Sequence, residues 1–175
     1  MRTIKAVSID HLAISGRRGD GECDKMSRWR AGARAGDAMF EARIRNEHTA
    51  ISIDETRRLV RMRRTSVRAD TVAELTAALE LLLTGLDQVV PPERRGEYGF
   101  LQDMRDAPLL RDAVLESKLA EYSPRLRQGW GRLAVLIRTP VGRLQVRRTT
   151  ATDGESGRGV FDDEIEALNF LTQRP

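Results

Sequence analysis

Leu133 to Ile137, LAVLI, is an unbroken apolar run bracketed by Arg132 and Arg138. A run this short, apolar without alternation, predicts a strand buried on both faces. Thr139-Pro140 follows at once. Threonine can cap a helix through its side-chain oxygen, and proline at the first helical position gives up an amide that would have had no partner. A buried strand turning directly into a helix is half of an α/β unit. The open end of such a strand, facing a helix N-terminus, is where α/β folds usually keep their ligands. The stretch Gly131–Arg148 therefore fixes an architecture before it suggests any chemistry.

The rest of the chain is consistent with one domain and an extension. It has 175 residues, 40% of them hydrophobic, and a single cysteine, Cys23, which rules out an intramolecular disulfide and a thiolate cluster. No apolar run approaches the roughly 20 residues of a membrane span, and MRTIKAVSIDHLAISG lacks the apolar centre of a secretory signal. The expected location is cytoplasmic. A formal charge of +4 suggests nucleic acid, but its distribution argues against it. Residues 1–38 carry eight Lys/Arg against five Asp/Glu, whereas residues 39–175 carry 22 against 21. The folded part is nearly neutral, so no nucleic-acid footprint is expected.

Residues 1–38 are glycine-rich and aperiodic and read as a poorly ordered extension, with a short strand at Ala6–Ile9; the compact domain runs from Met39 to the end. Ala50–Arg64 predicts a hairpin turning at Asp54-Glu55-Thr56-Arg57, with Arg61 and Arg63 on a wet face opposite Val60 and Met62. Thr71-Val72-Ala73-Glu74 is a capping box. It opens an amphipathic helix to about Gln88, with Val72, Leu75, Leu79, Leu82, Leu83 and Leu86 facing the core. Tyr98–Met104 is the next strand. A helix from Arg111 or Asp112 buries Leu115, Leu119 and Tyr122 and should kink or end at Pro124. After the helix at Thr139 come a polar loop over 149–159, a short strand at Gly159-Val160-Phe161, and a last helix. Asp162-Asp163-Glu164 puts negative charge at its positive end, and Ile165, Leu168 and Leu171 are its expected anchors. Strands alternating with helices imply a largely parallel sheet covered by helices.

This succession resembles the SpoIIAA-like branch of the STAS superfamily, often grouped with CRAL-TRIO-type folds. The residues that carry the resemblance are the hairpin IDETRRLVRMRRT, the strand end LQDMRDAP, the segment YSPRLRQGWGRLAVLIRTPVGRLQV and the closing VFDDEIEALNFL. The resemblance implies a mixed, largely parallel sheet of four to five strands flanked by about four helices, and protein–protein regulation rather than catalysis. Anti-sigma-factor antagonists of the group carry a phosphorylatable serine just after the strand that corresponds to Tyr98–Met104. Here the stretch Asp103–Leu110, DMRDAPLL, has no hydroxyl, so a phosphate switch at the matching position is not expected.

The chemistry on offer is sparse. His11 and His48 are the only histidines, without metal-ligand spacing, and neither a Gly-x-Ser-x-Gly elbow nor a P-loop occurs. Asp103 and Asp106 could form an acid/base pair, but Arg105 and Arg111 beside them make loop-fixing salt bridges the simpler account. Arg138, Thr139 and Arg143 could hold an anion with helix amides; the plain alternative is a threonine cap with paired or solvated arginines. The candidate binding residues are thus Asp103, Arg105, Asp106, Arg138, Thr139 and Arg143, with no catalytic residue, metal or cofactor assigned. The expected function is a non-enzymatic regulatory module that binds a protein partner, and a homodimer is compatible with it. The alternatives are a small-ligand or lipid-binding protein with a helix–sheet cleft, its ligand a small anion or a lipid, and an enzyme using Asp103 or Asp106.

Overall fold

The computed structural model describes residues 39–110, 112–142, 144, 146 and 157–173. The extension 1–38 with its Ala6–Ile9 strand, Arg111, Arg143 and most of the polar loop, 149–156, lie outside the described residues. Six strands form one sheet in chain order: β1 (Glu41–Arg45), β2 (Thr49–Asp54), β3 (Leu59–Arg64), β4 (Gly99–Asp103), β5 (Arg132–Leu136) and β6 (Arg158–Phe161). β1, β2 and β3 pair antiparallel, and β3 to β6 pair parallel. The sheet thus has six strands where four to five were expected. The additional one is β1, EARIR, a charged and exposed edge strand with an irregular register between Ala42 and Ile44. Edge strands carry charge and bulges because these discourage further pairing, and the same features remove the apolar alternation that marks a strand in a sequence.

Parallel strands added always on the same side, through connections of the usual right hand, place the connecting helices on one face. Helices α1 (Val72–Val89) and α2 (Ala113–Arg127) do share a face, where Leu75, Leu79, Leu82, Leu115 and Tyr122 meet Ile51, Ile53, Val60, Met62, Phe100, Leu133 and Val135. Helix α3 (Glu164–Thr172) closes the other face over Leu59, Leu101, Ala134 and Leu136 with Ala167 and Leu171. The run Leu133–Ile137 divides between the two cores as its alternation requires: Leu133, Val135 and Ile137 go one way, Ala134 and Leu136 the other.

Local signals explain the helix ends. The Thr71 hydroxyl accepts from the Glu74 amide at 3.2 Å, and the Glu74 carboxylate accepts from the Asp70 amide at 2.8 Å. Asp112 caps α2 and Asp163 caps α3 in the same manner. Pro124 does not end α2, which continues to Arg127. Tyr122 and Leu126 are buried on either side of it, so packing carries the last turn past the lost amide. Two expected anchors differ: Val72 is exposed, and Ile165 is 68% exposed, with Ala167 occupying the buried face of α3 instead.

A layered stack closes the α1/α2 core near the amino ends of the strands. The Trp130 ring lies on Phe100, centroids 4.4 Å apart, and its indole nitrogen donates to the Leu126 carbonyl at 2.9 Å. The guanidinium of Arg95, from a 3-10 turn at Pro92–Glu97, lies 5.0 Å from the Trp130 ring centroid and pairs with Asp87 of α1. Charge pairing and the ring face together allow this arginine to be buried.

Candidate functional site

Four charged residues meet where β3 and β4 end and α3 begins. Leu59, Arg61 and Arg63 alternate onto the α3 face of β3, so Arg61 comes beneath that helix and is 2% exposed. Asp103, the last residue of β4, points the same way and is fully buried. Arg105 grips Asp103 with two parallel bonds, from Nε to Oδ1 at 2.8 Å and from Nη2 to Oδ2 at 2.7 Å. Glu164, the first residue of α3, closes the set. One of its oxygens accepts from Arg61 at 2.6 Å and the other from Arg105 at 2.7 Å, while Arg61 lies 3.4 Å from Asp103. The result is a closed ring of alternating charge, Arg61–Asp103–Arg105–Glu164, with Arg61 also 5.3 Å from the Phe40 ring centroid. The wet face expected for Arg61 and Arg63 is therefore corrected at Arg61. Helix α3 covers that residue and the carboxylates of Asp103 and Glu164 offset the cost of its burial, whereas Arg63 is half-buried.

Burial alone would push the Asp103 carboxyl up, but the hydrogen bonds and charge of Arg105 and the charge of Arg61 outweigh it and hold the carboxyl below its ordinary value. Burial likewise opposes the charge on Arg105, and Asp103 and Glu164 overcome it, raising its pKa. Asp103 is thus kept ionised by two guanidiniums. That is the electrostatics of a fixed strut, whereas a general acid needs its proton held at neutral pH.

Further out, Asp106 accepts from Arg63 at 3.2 Å and from Arg138 at 3.5 Å. Arg138 is 62% exposed along its side chain and Asp106 30%, so this second cluster faces solvent. The Thr139 hydroxyl accepts from the Gly142 amide at 3.1 Å, which makes it a cap for the helical residues 140–142, 144 and 146. Of the six residues expected from the sequence, Asp103 and Arg105 belong to the buried ring, Asp106 and Arg138 pair in the outer cluster, Thr139 caps the helix after β5, and Arg143 lies outside the described residues. Those six do not include Arg61, Arg63 or Glu164. The available signal was charge at alternating strand positions, RMRR in β3 against the aspartate ending β4.

Apolar side chains rim this edge. Eight large hydrophobic residues are exposed among the described ones, and all but Leu81, mid-way along α1, lie between the carboxyl end of a parallel strand and the first turns of the helix that follows it. Val67 and Val72 follow β3, Leu109 and Val114 follow β4, Val141 and Leu144 follow β5, and Ile165 follows β6. Among the described residues no helix is long and apolar enough to cross a membrane, and no group of three or more His, Cys, Asp or Glu could hold a metal ion. No family model matches the chain, and neither does any curated protein or solved structure.

Proposed function

We propose that this chain is a non-enzymatic regulatory module of the SpoIIAA-like STAS type, which binds a protein partner through the edge where its parallel strands end. The observation that carries the reading is the recurrence of exposed apolar residues, Val67, Val72, Leu109, Val114, Val141, Leu144 and Ile165, in the segments that leave the edge where Arg63, Asp106 and Arg138 pair. Exposed apolar side chains gathered at one edge mark an interaction surface. A central charged cluster with both signs would orient a complementary partner. The antiparallel hairpin leading into parallel β-α units supports the STAS-like assignment. The missing hydroxyl in Asp103–Leu110 supports a module without the phosphate switch. The ion-paired, ionised state of Asp103 favours binding over catalysis by that residue.

The test is capture of co-purifying proteins by the tagged full chain from its own cell. Ile165→Glu and Leu109→Glu each add charge to the rim, and Leu81→Glu adds it on the outer face of α1. The expected result is a protein retained by the native chain and by Leu81→Glu, and lost by both rim variants, with unchanged melting temperatures. Retention unaffected by either rim variant overturns the reading.

A further inference from the structure

A cleft of about 880 Å³ opens at the opposite end of the sheet, where β4, β5 and β6 begin and α3 ends. Its lining includes Arg57 and Arg58 from the β2–β3 turn, Arg132 at the start of β5, and Glu97. Each of the three parallel strands there is entered through a glycine, Gly99, Gly131 or Gly157. Packing explains the first two. A Cβ on Gly131 would stand 2.5 Å from the Gly96 carbonyl oxygen, and one on Gly99 would stand 2.9 Å from a Leu59 methyl. The consequence is a floor of bare backbone, with room above it and guanidiniums around it.

The neighbouring carboxylates do not fully neutralise these arginines. Arg58 shares Glu97, at 3.4 Å, with Arg94 at 3.8 Å. Arg57 reaches Asp54 only at 3.9 Å. Arg132 donates to the Phe170 carbonyl at 3.1 Å and lies 5.2 Å from that ring centroid; among the described residues no carboxylate pairs with it. The lining therefore offers three guanidiniums to one carboxylate, with the Thr56 hydroxyl and the Gln173 side chain as further polar groups.

Backbone strain points to the same place. Arg58 has φ of 54°, the only positive value among the described non-glycine residues. That left-handed conformation suits glycine and disfavours a side chain carrying a Cβ. An arginine held there lines the cleft at a local cost that a glycine would not incur.

We infer that this cleft binds a small multivalent oxyanion, a phosphate or carboxylate compound carrying two or more charges, clasped by Arg57, Arg58 and Arg132. Guanidiniums bind both kinds of oxyanion through paired N–H donors. The site is at the other end of the strands from the protein-binding edge and does not depend on that reading.

The test is calorimetric titration of the full chain with pyrophosphate and, separately, with citrate, at matched ionic strength. Saturable heat with either supports the inference, and the stronger of the two names the source as phosphate or carboxylate. Arg58→Gly relieves the left-handed strain, so it should melt no lower than the native chain while binding about tenfold more weakly. Arg132→Gln should weaken binding to a similar extent. Heat that does not saturate with either anion overturns the inference, as does native affinity in folded Arg58→Gly.

Discussion

Two guanidiniums and two carboxylates share the buried space beneath the start of α3, and each touches members of opposite sign only. Such a ring is net neutral, but its members are not individually dispensable. Removing one carboxylate leaves a guanidinium buried without full compensation, at a cost of about 3–5 kcal/mol. Asp103→Asn should lose that much in denaturant melts at neutral pH. The pH dependence follows from the direction of the Asp103 shift. Its folded pKa lies below the unfolded value of about 3.9, so the unfolded state binds more protons in that window. The stabilisation is therefore complete above about pH 5 and is lost as pH falls through the folded pKa. The native chain should lose stability steeply below pH 4, and Asp103→Asn should show a shallower loss over the same range. Parallel curves for the two proteins would mean that Asp103 makes no such contribution.

At the scale of elements, the sequence was legible where a pattern has one cause. The leucine stripe of α1 has one: Leu75, Leu79, Leu82, Leu83 and Leu86 are all buried. The run Leu133–Ile137 and the hairpin were equally plain, because burial on two faces or on one leaves its own period. The pattern failed where two demands competed. In β3, charge at alternate positions looked like a solvated face, and only a helix distant in sequence, α3, reveals it as the inner side of a second core. On α3 itself Ile165, one residue past the first, looked like an anchor, yet it stands clear of the sheet while Ala167 is fully buried. Four of the six expected residues fall into ion-paired sets because they lie close to two strand ends; Glu164 was missed because nothing local ties it to Asp103. Paired truncations check this assignment of faces. Leu79→Ala should destabilise by roughly 2–4 kcal/mol, and Ile165→Ala by no more than about 0.5 kcal/mol. Similar losses from both would mean that the buried side of α3 has been misassigned.

The described sheet and its helices present two unlike ends, exposed apolar residues with mixed charge at the carboxyl ends of the strands and an arginine-lined cleft at their amino ends. β4 and β5 have five residues each, so these ends stand about 16 Å apart at roughly 3.3 Å per residue. Sites separated by more than about 7–10 Å with no shared partner behave additively. Of the helices described with residue ranges, α3 is the one that reaches both, with Ile165 at the rim and Phe170 to Thr172 lining the cleft. If the ends communicate, α3 must shift between two positions. Its contacts oppose that. Glu164 is held between Arg61 and Arg105 at one end, and the Phe170 carbonyl accepts from Arg132 at the other. A helix pinned at both ends over a packed core transmits little, since packed cores deform poorly. Saturating pyrophosphate should therefore leave partner capture unchanged. The stability changes of Arg58→Gly and Ile165→Glu should add in the double variant to within about 0.5 kcal/mol. A deviation above about 1 kcal/mol, or capture that depends on the anion, would show that α3 moves. Glu164→Gln, which weakens the pin at the rim, should then enlarge the effect.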